Sequence, residues 1–254
     1  MSSTLWKSKV AVVTGASVGI GAEVAVRLAN AGITVVGLAR RAELIDDLNK
    51  KVHGNGGQIH SYRCDMANEE NIGKAFAWIG EHFGGISILV CNAGVLKANF
   101  IVESSNADLK QLYDINAYAT TICLREGLKL MRNGKVDKGH IMVLNSILGH
   151  RIPDVAVPLF SVYPATKHAI TGLCQTLRQE IHFLKLNIKL TSINPGMVDT
   201  DFLNVYSHTV ADLPKLNAVD VADAIMYALE TPNHVQVEDI TLQAMRRYDT
   251  AGNL

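Results

Sequence analysis

The sequence predicts an α/β fold: a single doubly wound domain whose parallel seven-stranded sheet is covered by helices on both faces. Two observations support this prediction. Short runs rich in β-branched residues alternate with longer segments of helical period along the whole chain, and this alternation is typical of parallel strands joined by helical crossovers. The runs are also apolar on consecutive positions, as expected of strands that are buried on both faces.

The predicted elements follow one another in chain order. The clearest strands are 10–13, 33–38, 86–90, 140–144 and 188–193, and the weaker runs 58–63 and 235–242 complete the sheet. The helical segments include 22–31, 68–82, 107–131 and 162–184. Because no repeat, low-complexity linker or change in composition divides the chain, residues 1–254 are predicted to form one domain. The irregular stretch 202–216 is predicted to be a substrate lid.

Composition and charge argue against several classes of function. Hydrophobic residues make up 48% of the 254 residues, and the formal net charge is zero, so the chain has no electrostatic footprint for nucleic acid. No segment approaches the ~20 apolar residues of a membrane span, and we expect no stable membrane insertion. The N-terminus lacks the apolar stretch of a signal peptide. The four cysteines match no disulfide framework or metal spacing. A cytoplasmic protein without a metal is therefore expected.

A glycine-rich turn lies between the first predicted strand and the first predicted helix. It reads Thr14-Gly-Ala-Ser-Val-Gly-Ile-Gly21. Glycine lets a backbone turn tightly and approach a pyrophosphate, and the following helix offers N–H groups and the positive end of its dipole. The turn predicts a dinucleotide site of the Rossmann type. Its contact residues would be Gly15, Ser17, Gly19, Ile20 and Gly21. Taken alone, the same turn also fits a tight connection that binds nothing.

The end of the second strand predicts which dinucleotide is bound. Folds that bind NAD place an acidic residue here to accept hydrogen bonds from the ribose hydroxyls. This chain has Ala39 at that position, followed by Arg40 and Arg41. A guanidinium group pairs bidentately with phosphate oxygens, whereas a carboxylate would repel them. We therefore predict NADP(H), with Arg40 and Arg41 on the 2′-phosphate; the alternative is a solvated start to the next helix.

Tyr163 and Lys167 have the spacing of a proton-transfer pair. Residues four apart share one face of a helix, so the ammonium group can lie beneath the ring. A nearby cation favours the ionised form of a phenol, which would let Tyr163 exchange a proton with a substrate oxygen. Ser146 follows the fifth strand, where its hydroxyl can hold the same oxygen. Pro164 fits this arrangement if the helix begins at Tyr163.

These motifs, with Asn194-Pro-Gly after the sixth strand, resemble those of the short-chain dehydrogenases/reductases. The glycine turn matches the TGxxxGIG signature of that family, Cys91-Asn-Ala-Gly94 resembles its NNAG segment, and the motifs occur in the family's order over residues 14–200. Weaker strings such as Thr231-Pro-Asn-His234 resemble a branch of animal carbonyl reductases. This branch includes insect farnesol dehydrogenases and a mammalian ketosteroid-active member.

The resemblance implies further site residues. The catalytic set would be Ser146, Tyr163, Lys167 and Asn116, with Asn116 in a water-linked proton relay that reaches Lys167. The remaining cofactor contacts would come from Asp65, Met66, Asn92, Ala93, Gly94, Pro195, Gly196, Val198 and Thr200, together with Tyr163 and Lys167. Two departures from the family pattern are visible. Cys91 replaces an asparagine, and Ser146 and Tyr163 are seventeen positions apart, a few more than usual, so residues 151–158 are expected to bulge.

The expected activity is NADP(H)-dependent hydride transfer between a lipophilic alcohol and its carbonyl. The predicted pocket segments 96–101, 147–160 and 202–216 are rich in Leu, Val, Ile and Phe, which suits a lipophilic substrate. By resemblance, farnesol/farnesal is the first prediction, and ketosteroids or a broad range of carbonyls are the alternative. A non-catalytic NADP-binding regulator and a protein that touches membranes through the loop near Val205 remain as other classes. The resemblance also implies a homodimer or homotetramer.

Overall fold

A computed structural model describes residues 4–53, 56–154, 159–206 and 213–245. It contains one parallel seven-stranded sheet with the strand order β3-β2-β1-β4-β5-β6-β7. The strands are β1 (Val10–Thr14), β2 (Thr34–Ala39), β3 (Gln58–Arg63), β4 (Ile88–Cys91), β5 (Gly139–Leu144), β6 (Ile188–Pro195) and β7 (Asp239–Leu242). The predicted fold class is confirmed. The winding reverses between β1 and β4, which is where open α/β sheets bind ligands.

Helices cover both faces of the sheet. They are α1 (Gly19–Asn30), α2 (Ala42–Asp46), α3 (Glu69–Phe83), α4 (Asn106–Tyr113), α5 (Thr120–Asn133), α6 (Tyr163–Phe183) and α7 (Ala218–Glu230). Successive strand residues point to opposite faces. Val12 therefore packs in the core beneath α3, α5 and α6, while its neighbours Ala11 and Val13 pack beneath α1 and α7. Because both faces are buried, the strands are apolar on consecutive positions.

The segment predicted as helical over 107–131 is helical throughout, but it is not α-helical along its whole length. A π-helical segment, Asp114–Ala119, separates α4 from α5. Two threonines follow it. The Thr120 hydroxyl donates to the carbonyl oxygen of Asn116 (2.9 Å), and the Thr121 hydroxyl donates to that of Ala117 (2.8 Å). Threonine hydroxyls that bond the carbonyl four residues earlier often bend a helix. The predicted helical segment is therefore confirmed, with a π-helical middle that its period did not indicate.

Other predicted boundaries also shift. The weak run at 235–242 is a strand only at Asp239–Leu242, because the Val235 N–H instead donates to the Pro232 carbonyl (2.9 Å) and closes a turn. β2 and β4 begin at Thr34 and Ile88, one and two residues later than predicted. Residues 155–158 of the expected bulge and 207–212 of the expected lid lie outside the described residues.

Three further features of the described residues concern membrane spans, metal ligands and cysteines. None of the helices in this part of the chain is both long and apolar enough to cross a lipid bilayer. Within the same residues no group of three or more His, Cys, Asp or Glu side chains is arranged to hold a metal ion. All four cysteines are buried free thiols, and burial raises the pKa of each.

Candidate active site

A cavity of about 820 Å³ lies at the carboxyl edge of the sheet. Almost all of the predicted site residues line it. They are Gly15, Ser17, Gly19, Ile20, Arg40, Arg41, Asp65, Met66, Asn92, Ala93, Gly94, Ser146, Tyr163, Lys167, Pro195, Gly196, Val198 and Thr200. The two predicted site residues that do not line it are Gly21 and Asn116. The strand ends bring together residues that are far apart in sequence, because the carboxyl ends of parallel strands meet at one edge.

The glycine turn forms a narrow backbone cradle. Gly15 and Gly19 have positive φ values of 67° and 60°, which side chains other than glycine seldom adopt. A Cβ atom on Gly21 would lie 2.4 Å from the Gly15 carbonyl oxygen, so Gly21 allows close packing below the cradle. The backbone of Gly19 and Ile20 begins α1 at the cavity wall. This geometry fits a pyrophosphate group at the N-terminus of a helix.

Thr14 ties the cradle to the neighbouring strand, and its role was missed from the sequence. Its hydroxyl accepts hydrogen bonds from the backbone N–H groups of Asn92 and Ala93, both at 3.0 Å. The Asn92 amide in return donates to the carbonyl oxygens of Thr14 (3.0 Å) and Gly15 (3.2 Å). The amide of Asn92 therefore holds the gap between β1 and β4 in shape. The sequence feature that could have indicated this role is the threonine directly before the first glycine of the turn.

The two arginines after β2 stand at the rim of the cavity. Arg40 and Arg41 are exposed, whereas Ala39 before them is buried. Within the described residues, neither guanidinium group is paired with a carboxylate. Two unpaired cations at the end of β2 are arranged to receive an anionic group, and no acidic side chain occupies the position that would repel one.

The next strand end forms a different wall. Asp65 is partly buried after β3, and one of its carboxylate oxygens accepts from the Ala67 N–H (3.0 Å). Met66 is buried beside it, with its sulfur 4.0 Å from the Cys123 sulfur. This combination of one carboxylate and an apolar thioether suits a flat ring that carries an amino group.

Tyr163 and Lys167 lie on the first turn of α6, as their spacing predicts. The Lys167 ammonium nitrogen is 5.7 Å from the centre of the Tyr163 ring and donates to the Leu144 carbonyl oxygen (2.8 Å). Both side chains are buried. Burial lowers the pKa of Lys167 to about 8, because a desolvated ammonium group is less stable than a hydrated one. Pro164 stands in the first turn of the helix, where its missing N–H costs nothing.

Ser146 completes this end of the cavity. It follows β5, is buried, and its hydroxyl oxygen accepts from the Leu148 N–H (3.1 Å). This bond fixes the side chain at the start of the short 3-10 helix Ile147–Gly149. Within the described chain its hydroxyl proton has no acceptor, so it can be donated to an oxygen in the cavity.

Asn116 lies behind the cavity wall. It is buried within the π-helical segment. Its side-chain oxygen accepts from the Val95 N–H (2.8 Å), and its amide donates to the Val95 carbonyl (3.0 Å) and the Thr166 hydroxyl (3.2 Å). The side chain thus joins the loop after β4 to the first turn of α6. Its participation in a water-linked relay stays a prediction.

The turn after β6 closes the cavity above Pro195. The Gly196 N–H donates to the Leu242 carbonyl (2.7 Å), which holds the turn against β7. Further along, Val198 forms a parallel bridge with Leu216, and the Asp199 N–H donates to the Leu216 carbonyl (2.7 Å). The last residue of the predicted lid, Leu216, is therefore held against the segment that directly precedes the lid. Phe202, Leu203 and Leu213 of the predicted lid line the cavity.

Most of the rest of the cavity wall is apolar, although Asn145 and Asp201 also line the cavity. The apolar part is formed by Leu96, Ile147, Leu148, Pro153, Phe160, Phe202, Leu203 and Leu213. The Phe202 ring meets the Tyr163 ring edge to face, with centres 6.1 Å apart. The predicted pocket segment 96–101 contributes only Leu96, since Phe100 and Ile101 are exposed instead. The wall near Ser146 and Tyr163 is therefore made mainly of aliphatic and aromatic side chains, with Asp201 as an acidic residue beside Phe202.

Comparisons with known proteins agree with this architecture. The sequence profile described as "short chain dehydrogenase" matches residues 9–211. The chain is 39% identical over 240 residues to a protein named farnesol dehydrogenase from Aedes aegypti, covering 94% of this chain and 96% of that one. It is also 38% identical over 248 residues to the human dehydrogenase/reductase SDR family member 11, covering 94% and 95% of the two chains.

Solved structures show the same fold. The alcohol dehydrogenase from the archaeon Thermococcus sibiricus, complexed with 5-hydroxy-NADP, superposes with a TM-score of 0.83 at 24% identity, covering 96% of this chain and 100% of that one. A dehydrogenase/reductase from Sinorhizobium meliloti 1021 superposes with a TM-score of 0.80 at 26% identity, covering 93% and 94%.

Proposed function

This chain belongs to the short-chain dehydrogenase family of oxidoreductases, which act on alcohols and carbonyls with NAD or NADP, and we propose that it interconverts a lipophilic alcohol and its carbonyl with NADP(H). The observation that carries the proposal is the arrangement around Tyr163. The buried Lys167 ammonium group lies 5.7 Å from the Tyr163 ring, and both residues line the cavity with Ser146.

The chemistry follows from the positions of these side chains. The nicotinamide dinucleotide, when bound, supplies or accepts the hydride. In the reducing direction the Tyr163 hydroxyl gives its proton to the substrate oxygen, which Ser146 holds by donating its hydroxyl proton. Lys167 favours the ionised phenol by its charge. In the oxidising direction Tyr163 takes the proton back.

The preference for NADP(H) rests on the end of β2. Arg40 and Arg41 line the cavity rim, carry no partner carboxylate within the described residues, and follow the neutral Ala39. An adenosine 2′-phosphate would meet two guanidinium donors at this rim. We assign Gly15, Ser17, Gly19 and Ile20 to the pyrophosphate. The other cofactor contacts are those predicted above, with Gly21 acting through packing. Asn116 is assigned to the water-linked proton relay that reaches Lys167.

The proposed substrate is lipophilic because the wall beyond the reacting end is mainly apolar. A cavity of about 820 Å³ also has to accommodate the dinucleotide, so a flexible or flat chain suits the remaining space. Farnesol/farnesal is the first candidate, supported by the 39% identity to the Aedes aegypti protein. A ketosteroid or a broad range of carbonyls is the alternative. We further propose that the protein is a cytoplasmic homodimer or homotetramer.

The test is a turnover assay that follows absorbance of the reduced nicotinamide. Farnesal, farnesol, ketosteroids, diketones and aromatic aldehydes would be tried with NADP(H) and NAD(H). Tyr163→Phe removes only the hydroxyl and should lower kcat by about 10²–10⁴-fold, the range that general acid–base catalysis contributes. NADPH binding should persist. Tyr227→Phe, an exposed tyrosine on α7, is the matched control. Wild-type turnover by Tyr163→Phe would overturn the proposal.

A further inference from the structure

The turn that begins α6 has an unusual backbone. Ser161, two residues before Tyr163, has a positive φ of 46° although it is not a glycine. It is also buried, with 8% of its surface exposed. The Tyr163 N–H donates to the Phe160 carbonyl (3.0 Å) and closes the turn around Ser161. A serine in this region of φ persists only where its surroundings hold it there.

The loop after β4 supplies the bonds that hold Ser161. The Ser161 backbone N–H donates to the Asn99 carbonyl (2.9 Å), and the Ser161 hydroxyl is 2.8 Å from the Ser104 hydroxyl. Ser104 donates its own proton to the Phe100 carbonyl (2.9 Å). The hydrogen bonds therefore run in one direction, from Ser161 to Ser104 and on to the backbone of the loop, and such chains polarise one another.

A second tie joins the same loop to the other side of Tyr163. Asn116 bonds both backbone groups of Val95 and donates to the Thr166 hydroxyl (3.2 Å). Thr166 in turn donates to the Tyr163 carbonyl (2.7 Å). Tyr163 thus lies between two attachments to one loop, one before it through Ser161 and one after it through Thr166. The direction of the Tyr163 ring depends on both.

We propose that Ser104 and Ser161 form a positioning pair that sets the place of the Tyr163 phenol. The inference rests on the proposed function of Tyr163 as proton donor. Neither serine lines the cavity, so they act through Tyr163 and not on the substrate. Displacement of a reacting group by about 1 Å can lower the rate by roughly 10²-fold. A hydrogen bond that fixes the group therefore affects kcat as well as folding.

Adjacent serines allow a matched test. Ser104→Ala should lower kcat about 3- to 10-fold, the scale of one net hydrogen bond, and leave the Kd for NADPH unchanged. Ser105→Ala is the control. Ser105 caps α4 by accepting from the Asp108 N–H (3.1 Å) and donating to the Asp108 carboxylate (2.8 Å). Its loss should lower the melting temperature and leave kcat as in the wild type.

Substitutions at Ser161 separate the backbone from the hydroxyl. Ser161→Gly tolerates the positive φ and lacks the hydroxyl, so kcat should fall as it does in Ser104→Ala. Because both changes remove the same bond, the double variant should be no slower than the slower single variant. Ser161→Asn accepts positive φ and can hydrogen-bond, and it should restore at least half of the kcat that Ser161→Gly loses.

The outcomes distinguish this inference from the proposed function. Wild-type kcat in both Ser104→Ala and Ser161→Gly, with Tyr163→Phe inactive, would overturn the positioning pair alone. An equal fall of kcat in Ser104→Ala and Ser105→Ala would also overturn it, since general loosening of the loop would then be sufficient. Full turnover by Tyr163→Phe would remove the proposed function and the positioning pair with it.

Discussion

The two ends of the cavity differ in the atoms that line them, mainly backbone at one end and mainly side chains at the other. The end proposed to bind phosphate is made mainly of backbone, from the glycine turn braced by Thr14 and Asn92. The end proposed to bind substrate is made mainly of apolar side chains that come from well-separated parts of the chain. A backbone cradle requires particular residue types at fixed spacing, and it therefore leaves a motif in the sequence. An apolar wall requires only bulk, and many sequences provide it.

The largest effect that would sharpen this comparison is expected at Arg40. Arg40→Asp should change the preference for NADPH over NADH by about 100-fold or more. A charged hydrogen bond is worth ~1.5–3 kcal/mol, and the new carboxylate adds repulsion. The measurement is kcat/KM with each cofactor. Arg63→Asp is the control, because Arg63 ends the neighbouring β3 and does not line the cavity. Equal losses with NADPH and NADH would refute the assignment of Arg40 to the 2′-phosphate.

Gly21 tests whether the phosphate end depends on backbone packing. A Cβ atom at Gly21 would lie 2.4 Å from the Gly15 carbonyl oxygen and 2.5 Å from the Asn92 amide nitrogen. Gly21→Ala should therefore lower the free energy of unfolding by ~1–3 kcal/mol, as overpacking does, and weaken NADPH binding. Chemical denaturation and cofactor titration measure both effects.

The control for Gly21 is a glycine with open space around it. A Cβ atom on Gly73, inside α3, would meet nothing within 4 Å. Gly73→Ala should raise the free energy of unfolding by up to about 1 kcal/mol, since alanine favours a helix over glycine. If Gly21→Ala behaved like Gly73→Ala, the cradle would be more tolerant than its geometry implies.

Lys167 lines the cavity beside Tyr163, and the pH dependence of turnover tests whether its charge is required. Its pKa is lowered to about 8 from an ordinary value of 10.5, so the ammonium form is complete well below pH 8 and is lost as pH rises through that value. The kcat/KM for carbonyl reduction, which reports the free enzyme, should fall about tenfold per pH unit above pH 8.

The matched control for this pH profile is another buried lysine. Burial also lowers the pKa of Lys189, but its ammonium group donates to Thr231 (2.7 Å) near the opposite edge of the sheet. Lys189→Met should keep the falling limb. A profile that stayed flat to pH 10 in the wild type would show that the charge of Lys167 is not required.

Features that depend on local residue spacing were predicted from the sequence, whereas features that depend on contacts across the fold were not. The sequence placed the glycine turn, the arginines after β2 and the Tyr163–Lys167 pair at the cavity, because each depends on local spacing. The π-helical segment at Asp114–Ala119 was not predicted, because apolar periodicity does not distinguish it from an α-helix. The positive φ of Ser161 was missed as well, since it is held by a loop about 60 residues away in sequence. Contacts across the fold select these local conformations.

The wall of the pocket was predicted only in outline. Segment 96–101 is as apolar as the others, yet Phe100 and Ile101 point away from the cavity. A hydrophobic residue in a loop can be buried or can form part of a binding surface. The sequence does not show which of these applies, or whether the side chain faces the cavity. Phe202 is a wall residue next to the proposed proton donor, because its ring meets that of Tyr163 edge to face.

Substitution of Phe202 is expected to have the smallest effect. It tests whether the two ends of the cavity bind cofactor and substrate separately. Phe202→Ala should raise the KM for a lipophilic carbonyl about 5- to 10-fold, as loss of part of one aromatic side chain's burial implies, and leave the Kd for NADPH unchanged. Phe183→Ala, an 84% exposed phenylalanine at the far end of α6, should change neither. If Phe202→Ala instead weakened NADPH binding as strongly as substrate binding, the apolar wall would also be part of the cofactor site, and the two ends of the cavity would not be separable.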